Sequence, residues 1–166
     1  MSNFNSQKII APIMRFVNLK GIIALKDGML AILPLTVVGS LFLIIGQFPF
    51  EGLNQAIASV FGDTWTEPFM QVYSGTFAIM GLISCFSIGY SYAKNSGVEP
   101  LPAGVLSLSS YFILLKSSYV PAKGEPIGDA IAKVWFGGQG IIGAIIIGLV
   151  VGAIYTVFIQ RHIVIK

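Results

Sequence analysis

Three long stretches without one ionisable side chain dictate what this chain can fold into. They run from Gly28 to Phe50, from Pro68 to Ala93 and from Val134 to Gln160, bounded by Asp27 and Glu51, Glu67 and Lys94, and Lys133 and Arg161. Each exceeds the roughly 20 residues that a helix needs to cross the hydrocarbon of a bilayer. A charge at the bilayer centre costs about 2.5–3.5 kcal/mol, so long charge-free windows read as membrane spans. Composition points the same way: 10% of the residues are charged and 55% hydrophobic, where a soluble domain carries about 25% charged residues. Too little polar surface is left to cover a body in water. The expected fold class is an all-α integral membrane protein.

A fourth window, from Pro100 to Leu115, is short and holds Pro102, Gly104, Ser107, Ser109 and Ser110. A helix extended to Tyr119, with Lys116 reaching toward the interface, is long enough to span. Charge placement supports counting it. With four spans and a cytoplasmic start, Lys8, Arg15, Lys20, Lys26, Lys94, Arg161 and Lys166 fall inside, and only Lys116, Lys123 and Lys133 fall outside. Basic residues favour the cytoplasmic side, so both chain ends are expected there. The expected organisation is a cytoplasmic segment over 1–27, then a bundle over 28–166 with spans near 28–48, 69–93, 101–119 and 134–160.

Two further segments carry apolar residues at helical spacing and read as short amphipathic helices on the membrane surface. One holds Ile9, Ile10, Ile13, Phe16 and Val17; the other holds Leu53, Ile57, Val60 and Phe61, before Gly62 and Asp63. The polar start and the short apolar stretch broken by Pro12 and Arg15 lack the form of a cleaved signal peptide, so the amino-terminal segment is expected in the mature protein. Pro34 is expected to kink or loosen the first span. Gly97, Pro100 and Pro102 mark a turn into the third span, and Pro121, Gly124, Pro126 and Gly128 mark an outside loop.

The clearest packing signal is a stripe of small residues, Gly140, Ala144, Gly148 and Gly152, spaced four apart and therefore on one helix face. Small residues let another helix backbone come close, either within the chain or at a dimer interface. Chemistry-bearing residues are sparse. His162 stands beside Arg161 without an orienting acid nearby and reads as an interfacial residue. Cys85 is the single cysteine and reads as an inert packing residue. One histidine and one cysteine make no metal site, no nucleophile–base pair can be assembled, and no cofactor is expected. Asp27 reads as a helix cap beside Lys26. Gly137, Gly138, Gln139 and Gly140 lack the Lys-Ser/Thr pair of a phosphate loop and read as a flexible helix start. Trp65, Tyr73, Tyr90 and Tyr92 read as interface anchors rather than stacking platforms for a ligand. No basic run resembles a nucleic-acid stripe.

Several stretches carry a family resemblance. ALKDGMLAILPLTVVGSLFLII (Ala24 to Ile45), LPAGVLSLSSYFILL (Leu101 to Leu115) and FGGQGIIGAIIIGLVVGAIYTVFIQRHIVIK (Phe136 to Lys166) resemble, in order, the first, third and fourth spans of enzyme IIC of the lactose/cellobiose/chitobiose phosphotransferase family. The resemblance implies a sugar permease for a β-linked disaccharide, working as a homodimer with enzyme IIA and enzyme IIB, the latter passing a phosphoryl group to the sugar. It also implies a place in a bacterial cell membrane and that the amino-terminal half is a dimerising scaffold. The sugar-binding residues then belong to a carboxy-terminal half absent from this chain, which is expected to be inactive alone. The competing expectation is a stand-alone membrane scaffold or assembly protein with no transported solute.

Overall fold

The computed structural model describes residues 19–119, 127–128 and 130–161. The surface helix expected over Ile9–Val17, most of the outside loop and His162 lie outside the described residues. Helices dominate what is described: α1 (Lys20–Leu30), α2 (Leu33–Gly46), α3 (Glu51–Phe61), α4 (Glu67–Gly75), α5 (Met80–Asn95), α6 (Pro100–Leu114) and α7 (Ile141–Gln160). Single 3₁₀ turns occupy Phe77–Ile79, Lys133–Phe136 and Gly138–Gly140. A two-residue antiparallel pair joins Ser118–Tyr119 to Ile127–Gly128.

Three stretches are long and apolar enough to cross a membrane: Lys20–Gly46, Glu67–Asn95 and Gly138–Gln160. Two of them are interrupted. Pro34, the second residue of α2, lacks the N–H that would bond the Leu30 carbonyl, and a turn at Ala31–Ile32 separates α1 from α2 just before it. The second interruption is at Thr76, whose φ and ψ of −124° and −83° leave the helical region. Its Oγ1 donates to the Val72 carbonyl at 2.6 Å, an acceptor of the last α4 turn.

α6 runs 15 residues, about 22 Å at 1.5 Å per residue, against a hydrocarbon thickness of about 30 Å. It stops at Leu114 because Leu115 is extended and the chain then enters the pair at Ser118. Asp27 does not cap a helix. The apolar run Gly21–Leu25 carries α1 back to Lys20, which leaves Asp27 inside α1.

Two compact units organise the described residues. The first comprises the described parts of Met1–Ala31, Ser84–Leu115 and Ile142–Lys166; the second comprises Ile32–Ile83 and the described parts of Lys116–Ile141. In the first, the fully buried side chains include Ala24, Cys85, Ile88, Ala93, Ala103 and Ala144, most of them small. Its α5 ends on Gly97 at φ +74°, a left-handed position that favours glycine, with the Val98 amide donating back to the Ala93 carbonyl at 3.2 Å. In the second unit, α2 and the 3₁₀ turn that follows α4 come so close that a Cβ at Gly39 would lie 2.6 Å from Phe77 Cβ. Phe42 and Trp65 pack on Phe69 there, at centroid distances of 6.1 and 6.0 Å.

Large apolar side chains point outward. On α7, Ile142, Ile146, Val150 and Ile154 are each at least half exposed, while Ala144, Gly148, Gly152 and Thr156 on the other face are buried. Small residues inside and branched aliphatics outside is the distribution a helix needs when its solvent is lipid.

Candidate functional site

The four small residues singled out by their spacing are all buried. Gly148 and Gly152 lie against α5: a Cβ at Gly148 would stand 2.8 Å from the Cys85 carbonyl oxygen, and one at Gly152 would stand 2.9 Å from Tyr92 Cβ. The same unit holds further such approaches. Gly89 of α5 faces Ser107 of α6, and Gly28 of α1 lies against the Ile88 backbone, where a Cβ would meet Ile88 Cα at 2.7 Å. Gly28, the α1 glycine that meets α5, follows the buried Ala24 by four residues, a shorter small-residue series than the one singled out on the last helix.

Hydroxyls join the same packing. Ser107 Oγ donates to the Ala103 carbonyl at 2.8 Å and Thr156 Oγ1 to the Gly152 carbonyl at 2.7 Å, each satisfied within its own helix. Cys85, fully buried, donates its thiol to the Ser107 carbonyl at 3.2 Å. A packing role suffices for it.

Polar groups gather at one end of this unit. Asn95 Nδ2 donates to Asp27 Oδ2 at 2.9 Å, and Lys26 Nζ lies 3.3 Å from Asp27 Oδ1. Gln160 Nε2 donates to the Ser96 carbonyl at 3.0 Å, tying the end of α7 to the turn after α5. A cavity of about 400 Å³ opens beside the Asp27–Asn95 pair, lined by Asp27, Phe86, Ser87, Tyr90, Ser91 and Lys94 among others. Sequence spacing could not have found it, since Asp27 and Asn95 are 68 positions apart.

A second cavity, of about 480 Å³, lies within the other unit between Tyr73, Phe77, Lys133 and the Gly137–Gln139 turn. Tyr73 and Phe77 stack there at 5.6 Å. Trp65 and Tyr92 are engaged in packing, against Phe69 and beside Gly152 respectively. Tyr90 stacks on Phe86 at 6.1 Å. No group of three or more His, Cys, Asp or Glu side chains that could hold a metal occurs among the described residues.

Apolar helices with glycine-mediated packing, an outward aliphatic face and polar residues collected at helix ends define a multi-helix bacterial membrane protein. The chain belongs to the phosphotransferase system EIIC family, whose model matches residues 26–166. It is similar to the lichenan permease IIC component of Bacillus subtilis, 38% identical over 149 residues covering 86% of this chain and 33% of that protein. The cellobiose-specific EIIC component of Geobacillus stearothermophilus is 36% identical over the same shares. Among solved structures it is similar to the transporter ChbC, the IIC component of the N,N'-diacetylchitobiose-specific phosphotransferase system. The TM-score is 0.85 at 31% identity, over 96% of this chain and 38% of that one. The chain thus spans about a third of the length of the relatives it matches.

Proposed function

We propose that this chain is the helical platform of a membrane permease that imports a β-linked disaccharide such as cellobiose or chitobiose while a partner phosphorylates it. The single observation that carries this reading is the match to ChbC over 96% of the chain at a TM-score of 0.85. The relatives' names support the substrate class, since lichenan, cellobiose and oligo-β-mannoside are β-linked. The enzyme IIA and IIB components are the partners, and relatives named EIICB carry a B component in the same chain. Both ends of the chain face the cytoplasm, in keeping with its basic residues.

In this reading the chain holds no phospho-accepting residue and acts as scaffold. Gly140, Ala144, Gly148 and Gly152 serve internal helix packing, and the exposed aliphatic faces meet lipid or the second subunit of a homodimer. Small residues suit that role because, in lipid, helices associate through close contact rather than hydrophobic expulsion.

A split permease tests this. The chain is expressed in bacteria lacking their own cellobiose uptake, alone or with a Bacillus subtilis lichenan permease from which the matched portion has been removed. Membrane vesicles carrying both halves are expected to phosphorylate cellobiose when supplied with phosphoenolpyruvate and the soluble partners, and neither half alone is expected to do so. Failure of the pair, or full activity of this chain by itself, overturns the reading.

A further inference from the structure

The cavity of the second unit, about 480 Å³, differs in charge from the one beside Asp27. In the first, the Lys94 ammonium shares the lining with the Asp27 carboxylate. In the second, Lys133 alone is charged among the described lining residues, and it forms no ion pair among the described residues. An ammonium with no carboxylate beside it leaves the cavity net positive.

The rest of the lining is apolar on one side and polar on the other. Tyr73 and Phe77, stacked at 5.6 Å, form a wall with Ala78 and Val134. Gln139 brings an amide that can donate to an oxygen. Next to it, a Cβ added at Gly138 would meet nothing within 4 Å, so that edge is open to approach. Just past Lys133, Val134 and Trp135 are 46% and 43% exposed, an aliphatic and an aromatic residue of the kind that sits where a helix enters lipid. The stretch that starts at Gly138 is long and apolar enough to cross a membrane, which puts its first turn, and the cavity around it, at headgroup level.

These features narrow the occupant. A hydrocarbon chain would leave the ammonium without a counter-charge, and so would a neutral polyol. A free inorganic anion would pair with Lys133 but leave the Tyr73–Phe77 wall in water. A phosphodiester joined to an acylated glycerol matches both sides, with its phosphate oxygens toward Lys133 and Gln139 and its glycerol and first methylenes on the aromatic wall. The volume lies within the range of small-molecule sites, about 300–1,000 Å³.

We propose that this cavity seats the phosphodiester headgroup of an anionic phospholipid, held by Lys133 and Gln139. The inference does not depend on which solute the permease carries. A lipid seated there would brace the two 3₁₀ turns, Lys133–Phe136 and Gly138–Gly140, against Tyr73 of α4.

The test is titration of the purified, delipidated chain in mild detergent with phosphatidylglycerol and, separately, with zwitterionic phosphatidylcholine, bound lipid being counted by native mass spectrometry. One phosphatidylglycerol is expected to bind saturably and about fivefold more tightly than phosphatidylcholine, the preference that one lysine at a membrane surface confers. Lys133→Gln is expected to abolish the preference and Lys133→Arg to keep it. Gln139→Glu, which sets a carboxylate in the lining without touching Lys133, is expected to weaken phosphatidylglycerol binding and spare phosphatidylcholine. Lys116→Gln, outside the cavity, is expected to change neither. Circular dichroism and size-exclusion profiles separate lost binding from lost fold. Equal affinity for the two lipids overturns the proposal, as does a preference that survives both Lys133→Gln and Gln139→Glu. An equal loss in Lys116→Gln would mean diffuse surface charge, and displacement of the lipid by inorganic phosphate would mean a free-anion site; either result overturns it too.

Discussion

Gly148 of α7 lies so close to Cys85 of α5 that a Cβ added to it would come within 2.8 Å of the Cys85 carbonyl oxygen, with Ile88 Cβ at 3.1 Å. A backbone oxygen cannot swing aside as a side-chain tip can, so the two helices must part. Gly148→Ala is therefore expected to destabilise the folded chain by about 1–3 kcal/mol, the usual cost of overpacking. Gly143, on the same helix, supplies the comparison, because its added Cβ would meet only Tyr111 Cε2 at 3.8 Å. Gly143→Ala is expected to be neutral or to gain up to about 1 kcal/mol from helix propensity. Unfolding in mixed micelles of rising denaturing-detergent fraction measures both. Equal stability of Gly148→Ala and wild type would remove the close α5–α7 packing.

Cys85 makes the same packing visible chemically. It is the chain's single cysteine, fully buried, with its thiol on the Ser107 carbonyl. A membrane-permeant maleimide is expected to leave the folded chain unmodified for hours and to label it within minutes once denaturing detergent is added. Gly148→Ala is expected to raise the labelling rate under native conditions by about tenfold, following about 1.4 kcal/mol of easier opening. Rapid labelling of the native wild type would contradict the burial of Cys85.

How much of this could be read from the chain depends on whether the signal is local. The apolar helices were legible because absence of charge is a property of contiguous sequence, and the break before Pro34 was legible because proline carries its own steric rule. The break at Thr76 was not, since nothing in Ser74-Gly75-Thr76 forbids a helix, and the irregular backbone coincides with the close approach of Gly39 to Phe77. The stripe on α7 announced a packing face but not its partner. Asp27 was misread as a cap because the apolar run before it was counted as outside the helix. The cavity was invisible for a different reason: its walls come from α1 and α5, and only folding makes neighbours of Asp27 and Asn95.

The proposed cytoplasmic placement of both chain ends leads to an accessibility prediction. In a Cys85→Ala background, a cysteine is introduced by Lys123→Cys or by Glu99→Cys, the first in the loop expected outside and the second in the turn between α5 and α6. A membrane-impermeant maleimide added to intact cells is expected to label the first and to reach the second only after the membrane is opened. Labelling of position 99 in intact cells would invert the orientation, and labelling of both would remove one crossing between them.

The last prediction concerns α3, which has no buried residue and leaves Leu53, Val60 and Phe61 at 47%, 75% and 75% exposure, with Phe50 just before it at 65%. These residues follow α2, whose own Val37, Leu41 and Ile44 are more than half exposed. Water would charge roughly 25 cal/mol for each Å² of that apolar surface, whereas a bilayer interface accepts it and leaves Glu51 and Asn54 at headgroup level. Phe61→Trp turns the arrangement into a signal. In vesicles, its emission, taken as the difference from the parent chain with Trp65 and Trp135 replaced by Phe, is expected to be blue-shifted. Lipids brominated near the headgroup end of the acyl chain are expected to quench it more than lipids brominated near the tail. A red, unquenched emission would place α3 in water, and a blue, unquenched one would place it against protein.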